Sequence, residues 1–257
     1  MEYMLAMLNH RIRRVKQGLP IPTNSLEFFW DGALSSTASG TGGVEDLSSN
    51  GRDASYVNTP VFDSSTDGGI LQFTNADSDY VSIDGWKGLL GSGPMTVLMF
   101  ARTTNAAANS NRLFSWGANT GTGTKCMCRI QSNGSLRYVG KNFTVTQDLP
   151  AGGSYIGNDN NWHMFGFTMP SSATAGDIDL YMDGVATGQS MGAGSATDSV
   201  NILTHNDAAI GIDLSGDGSN PWDGYFAMFA VYSRALSAQE IEDIYNYKAP
   251  DVGMSTI

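Results

Sequence analysis

The chain has 257 residues, 41% of them hydrophobic and 15% charged, with 31 glycines spread among short alternating segments, which is the composition of a folded, mostly β domain. Its net charge of −11 is unevenly placed: residues 1–25 carry Arg11, Arg13, Arg14 and Lys16 against Glu2 alone, so the rest is more acidic still. An acidic body repels phosphate backbones, which argues against nucleic acid as a ligand of the main domain, and no apolar stretch approaches membrane-spanning length.

At the N-terminus, Met4 or Leu5, Leu8, Ile12 and Val15 recur at helical spacing until Gly18 and Pro20 stop the pattern. The spacing predicts a basic amphipathic helical arm followed by a Pro-containing connector. The order of its features is not that of a signal peptide, which puts basic residues first, then an apolar run, then a cleavage site. Leu5, Leu8, Arg11, Ile12, Arg14 and Val15 are the expected docking residues, laid in a groove of an assembly protein or of another copy of the chain. Packing of the arm on its own domain is the alternative, and four basic residues without Trp or Phe make a weak membrane anchor.

Short strands follow at 26–30, 70–74, 79–83, 95–101 and 112–116. The segments 125–131 and 136–139 flank Asn133-Gly134, a hairpin signal because both residues tolerate positive φ, and 177–182 and 185–189 flank Asp183-Gly184 in the same way. Strands at 162–168, 201–203 and 208–212 lead to 225–232, an almost wholly apolar run that reads as buried on both faces. Ser237 then caps a helix, Glu240 reaches back to it, and Leu236 staples onto Ile241. Without helical crossovers, these strands predict an all-β, antiparallel two-sheet sandwich with one short C-terminal helix. Cys126 and Cys128, at i and i+2 of a strand, point to one face and are poorly placed to bridge each other, which suits a reducing compartment.

Four stretches in order, "WDGALSSTASGTGGVEDLSSNGRDASYVN", "ILQFTNADSDYVSI", "NWHMFGFTMPSSATAGDIDLYMDGVATGQ" and "FAVYSRALSAQEIEDIY", resemble the laminin G-like, concanavalin A-like lectin and glucanase jelly-roll modules. The resemblance spans 25–248, leaving 1–24 as arm and connector and 249–257 as a tail. Modules of this Gly/Ser/Asn-rich kind resemble those of bacteriophage head decorations, tail appendages and fibres. That implies a non-catalytic structural or attachment protein of a virion, made in the host cytoplasm, released by lysis, joined to other virion proteins through residues 1–22, and possessing a surface for cell-surface polysaccharide. A free glycan-binding module is the alternative, and a glycoside hydrolase a distant one.

Hydrolases of this fold need paired carboxylates. The segment 177–183 alternates Asp177, Asp179, Tyr181 and Asp183 against Ile178, Leu180 and Met182, yet it lacks the glutamates that the family's catalytic pattern carries. His10, His163 and His205 accompany no nucleophile elbow, and His163 belongs to a Trp-His motif that the resemblance assigns to packing. The resemblance also implies a calcium ion at the sandwich rim. Two loops offer the hard oxygen ligands it takes: Asn75, Asp77 and Asp79, and Asp213, Asp217, Asn220 and Asp223. For glycans, Trp222 and Trp86 sit among turn residues, with Asn220 and Asp223 as hydrogen-bonding neighbours, and either ring is a stacking platform or a plug of the sandwich rim. Trp30, Trp116 and Trp162, in or beside strands, are expected in the core.

Overall fold

The computed structural model describes residues 19–35, 43–103, 111–148, 157–215 and 221–257. The predicted arm, with Leu5, Leu8, Arg11, Ile12, Arg14 and Val15, lies outside the described residues. In chain order the strands are β1 (Leu26–Asp31), β2 (Gly43–Val44), β3 (Ala54–Val57), β4 (Val61–Asp63), β5 (Ile70–Phe73), β6 (Tyr80–Ile83), β7 (Met95–Arg102), β8 (Asn111–Gly117) and β9 (Lys125–Ile130). They continue with β10 (Leu136–Gly140), β11 (Phe143–Gln147), β12 (His163–Met169), β13 (Asp179–Met182), β14 (Val185–Ala186), β15 (Gln189–Ala193), β16 (Ala208–Ile210) and β17 (Gly224–Tyr232), before helix α1 (Ala238–Lys248).

These strands form two antiparallel sheets. One has eight strands in the order β14-β13-β12-β7-β17-β5-β4, with β1 also paired to β17; the other has nine, in the order β15-β11-β10-β9-β8-β16-β6-β3-β2. Between them lies an aromatic chain that alternates sheets: Phe229 meets Phe114 at 5.6 Å, Phe114 meets Phe167 at 6.2 Å, and Phe167 meets Tyr138 at 4.9 Å between ring centroids. Each such buried ring contributes roughly 1.5–3 kcal/mol of apolar transfer.

Strand β17 is buried on both faces, as its apolar run predicts. Phe226, Phe229 and Val231 enter the intersheet core, while Ala227, Met228, Ala230 and Tyr232 face the other way. A register shift between Phe226 and Met228 accounts for Phe226 and Phe229 sharing a face three residues apart. The outward set is covered by α1, whose Ile241, Ile244 and Tyr245 join Leu26, Phe29 and the connector residue Ile21 in a second core. The capping box of Ser237 and Glu240 forms as predicted. Ala249 and Val252, in the segment expected to be a tail, pack into the same second core.

Some expectations change. The hairpin at Asn133-Gly134 is a three-residue loop, in which Gly134 N–H donates to the Gln131 carbonyl at 2.9 Å and only Gly134 takes positive φ. Asp183 and Gly184 both have positive φ, the two-residue turn expected there. The segment 185–189 does not stay in one strand: β14 pairs with β13, and after Thr187 and Gly188 the chain crosses to the opposite sheet as β15, paired with β11. The strand expected at 201–203 reduces to a single bridge between Ile202 and Gly91. Strands β2, β3, β4 and β11 lie outside the predicted set. The first three span two to four residues without apolar runs, whereas Phe143 and Val145 of β11 alternate inward against outward Thr144 and Thr146, a period-2 signal that finds it.

Candidate functional site

The Asp-x-Ser-x-Asn-Gly stretch forms a clamp on β1. Asp46 is buried, and its carboxylate accepts from the backbone N–H groups of Phe29 (3.0 Å), Ser48 (2.9 Å) and Arg52 (2.9 Å) and from the Ser48 hydroxyl (2.7 Å). Asn50 donates to the Leu26 carbonyl at 3.0 Å. The motif is therefore scaffolding for the first strand.

Trp222 corrects one expectation. Its side chain is 0% exposed and stacks on Phe226 at 5.1 Å, and its backbone N–H donates to the Gly211 carbonyl at 2.6 Å. The apolar run that follows draws the ring inward, so it plugs the rim and offers no platform. Trp86 is half-buried, stacked on Phe28 at 6.3 Å, with the Arg52 guanidinium 5.1 Å from its centroid. It remains the ring nearest to a platform. Trp30, Trp116 and Trp162 are buried, as expected.

Two of the candidate calcium ligands, Asp79 and Asp213, are engaged by groups of the chain itself. Asp79 is 1% exposed; its carboxylate accepts from the backbone N–H groups of Thr59 at 2.8 Å and Thr74 at 2.9 Å. Asp213 is buried against the Lys125 ammonium at 2.5 Å, which fills the place a cation would take, and it also accepts from the Ser215 hydroxyl at 2.6 Å. Asp77 is an exposed residue of a short 3-10 turn, and the Asp223 carbonyl accepts from the Thr103 hydroxyl at 2.5 Å. Asp217 and Asn220 lie outside the described residues. Among the described residues no three His, Cys, Asp or Glu side chains gather in a way that would hold a metal ion. Asp79 and Asp213 thus act as internal hydrogen-bond and ion-pair anchors, because each was buried with its partners already in place.

In the segment 177–183, Ile178, Leu180 and Met182 enter the core and Asp179 faces solvent, as alternation requires. Asp177 caps a 3-10 turn by accepting from Thr174, and Asp183 holds His163 Nδ1 at 2.8 Å and the Met164 N–H at 2.9 Å. Burial alone would lower the His163 pKa, but Asp183 and then Asp159 outweigh it and hold the ring above its usual value.

The outer face of the nine-stranded sheet carries a feature absent from the sequence reading. Cys126, Cys128 and Ile130 of β9 point into the core, so Arg129 points out. The register then aligns Arg112 of β8 with Arg129, Arg129 with Arg137 of β10, Arg137 with Thr146 of β11, and Thr146 with Ser190 of β15. Three guanidinium groups thus stand on adjacent strands, about 4.8 Å apart from strand to strand. Arg137 Nε donates to Thr146 Oγ1 at 2.9 Å. Burial, followed by the charges of Arg112 and Arg137, pushes the Arg129 pKa down to about 10, with Asp213 acting in the opposite sense. These arginines are remote from one another in sequence and only strand pairing unites them. The hairpin about Asn133-Gly134 is the one local signal, since it sets Arg129 opposite Arg137.

Two stacked antiparallel sheets, one sealed beneath a C-terminal helix and one presenting a polar outer face, define a lectin-type sandwich. The family model for the Concanavalin A-like lectin/glucanases superfamily matches residues 74–242, and the chain belongs to that family. Solved structures share the fold at low identity. Domain 4 of AbnA, a GH43 extracellular arabinanase from Geobacillus stearothermophilus, in complex with arabinotriose, is 14% identical with a TM-score of 0.58 over 87% of this chain and 100% of that one. The binding domain of Paraclostridial Mosquitocidal Protein 1 is 16% identical, with a TM-score of 0.60 over 87% of this chain and 52% of that one. The botulinum neurotoxin serotype D binding domain is 12% identical, with a TM-score of 0.57 over 88% of this chain and 51% of that one. The chain therefore spans about half the length of these two toxin fragments. No match was found among curated proteins. No described helix is long and apolar enough to cross a membrane.

Proposed function

We propose that this chain is a non-catalytic attachment and display module that binds glycans through its sandwich and joins a larger assembly through residues 1–22. The contrast between the two outer faces supports this reading. One is sealed by α1, Ile21 and the segment after Lys248, while the other presents half-exposed polar and basic side chains in a fixed register. Its fold neighbours include an arabinanase domain in complex with arabinotriose and toxin binding domains. A bacteriophage virion is the assembly we favour, because a binding-type sandwich with free, buried Cys126 and Cys128 suits a protein that folds in a reducing cytoplasm and works outside the cell.

Removing residues 1–18, which leaves Ile21 in the second core, yields a folded sandwich that still binds glycan and no longer joins its assembly. Mass spectrometry of particles purified from cells expressing the truncated and full-length chains reads this out. Normal incorporation of the truncated chain would defeat the docking role, and silence of the full chain on a broad glycan array would defeat the binding role.

A further inference from the structure

We infer that the outer face of the eight-stranded sheet, at the end that α1 leaves uncovered, binds a neutral saccharide along a cross-strand row of Val61, Gln72, Tyr225 and Arg102, with Asp67 at its margin. This rests on the glycan-binding reading above and gives it a place and a ligand class.

Phe100 and Met228 of this face belong to the second core under α1, whereas the outward residues beyond them are reached by solvent: Tyr225 and Arg102 are half-buried, Gln72 is exposed and Val61 is 55% exposed. The register sets Val61 of β4 opposite Gln72 of β5, Gln72 opposite Tyr225 of β17, and Tyr225 opposite Arg102 of β7. Four side chains thus stand on adjacent strands across three strand spacings, about 14 Å. An apolar side chain, an amide, a phenol and a guanidinium in one line offer both the C–H contact and the hydrogen bonds that a sugar takes. The Arg102 guanidinium lies over the Tyr225 ring at 4.5 Å and the Trp162 ring at 5.3 Å from their centroids, which holds its plane. Its Nε is buried, and among the described residues the group makes no hydrogen bond, so the terminal nitrogens are the donors within a ligand's reach.

Asp67 supplies the acceptor. The backbone takes positive φ at Asp67, Gly68 and Gly69 in succession, and Gly69 packs so closely on Gly32 that a Cβ would overlap the Gly32 carbonyl. Left-handed backbone is costly for a residue that has a Cβ, and here it aims the Asp67 carboxylate at the Trp162 indole N–H, which donates to Oδ2 at 2.9 Å. Arg102 Nη1 lies 3.9 Å from the same oxygen, too far for a hydrogen bond. A sugar hydroxyl seated against that gap, about 2.8 Å from each group, accepts from Nη1 and donates to the carboxylate. The Arg102 and Asp67 side chains are 26% and 30% exposed, so the gap opens to solvent. The two charges offset each other in a chain whose net charge is −11, which favours a neutral sugar over an acidic one.

The test is titration of the full, isotope-labelled chain with neutral pentose and hexose oligosaccharides and with uronic-acid oligosaccharides, followed by calorimetry and by the indole N–H resonances of its five tryptophans. A neutral member is expected to bind and to shift the Trp162 resonance, assigned with Trp162→Phe, more than those of Trp30, Trp116 and Trp222. Arg102→Met, which removes the donors, is expected to lower that affinity by about tenfold or more. Asp67→Asn, which keeps an acceptor for Trp162 and tolerates positive φ, is expected to lower it by a similar factor. Thermal midpoints separate loss of the site from loss of the fold, and should either variant fail to fold, the Trp162 shift in the parent chain decides. Neutral binding without that shift, or with both folded variants binding as the parent does, overturns the inference and leaves the glycan-binding role standing. Preference for the acidic sugars overturns it in the same way, whereas no binding across the panel removes the glycan-binding role as well.

Discussion

Asp46 shows how a single carboxylate can hold a strand in place. Replacing it with Ala leaves the buried Phe29 N–H without its acceptor and releases the turn that carries Asn50 to the Leu26 carbonyl. A buried unsatisfied donor costs about 1–3 kcal/mol, so Asp46→Ala is expected to lower unfolding free energy by about 3 kcal/mol in a urea titration, with Asp46→Asn losing less. A loss under about 0.5 kcal/mol, the usual effect of an ordinary surface substitution, would show that the clamp carries little. At this scale the sequence is a poor guide to chemistry. Asp79, Asp213 and Trp222 have the residue types and turn-rich settings of calcium and sugar ligands, but burial and local partners decide their roles. Composition does not reveal that Asp213 lies against Lys125 across 88 residues of chain.

At the scale of elements, β17 and α1 form the joint that secures one face of the sandwich. Lys248, the last residue of the helix, is fully buried, with its ammonium 2.6 Å from Asp31 of β1, and the Tyr247 hydroxyl donates to the same carboxylate at 2.6 Å. Burial alone would raise the Asp31 pKa. The Lys248 charge and hydrogen bond, then the Tyr247 hydroxyl and the Ala33 N–H, outweigh it and hold the carboxyl below its ordinary 3.8. A depressed folded-state value means that the unfolded chain takes up the proton first. The stabilisation is therefore complete above 3.8 and is lost as pH falls below it through the folded value. Asp31→Asn is expected to cost about 3 kcal/mol at neutral pH by leaving the buried ammonium with only the more distant Asp251, at 3.4 Å, as counter-charge, and to flatten the acid limb of stability against pH. An unchanged acid limb in that variant would assign the pH dependence elsewhere. The strand and helix themselves are legible, because an apolar run, a capping box and a staple are local signals. The nearer partner of Lys248 is not, since Asp31 lies on the first strand.

At the scale of the whole molecule, alternation and turn spacing are enough to predict two layers, and the order of four motifs along the chain is enough to place the family. Neither says which outer face is sealed, because that depends on where α1 and the connector come to rest. The basic row is hidden for the same reason: each arginine is an ordinary outward residue on its own strand, and register alone makes the three into a set. Cross-sheet aromatic contacts hold this register from beneath, through Phe114 and Tyr138 of the strands that bear Arg112 and Arg137.

The two thiols on the core side of β9 give the protein a chemical clock. Cys126 and Cys128 are 0% and 1% exposed, and burial pushes both pKa values well above the ordinary range, so the reactive thiolate is suppressed as well as screened. An alkylating reagent is therefore expected to modify both residues together, only as fast as the two layers part, and doubly labelled chains should appear without a singly labelled intermediate in intact-mass spectra. Rapid modification of one cysteine in the native protein would reveal a local opening at β9 that leaves the rest of the sandwich closed.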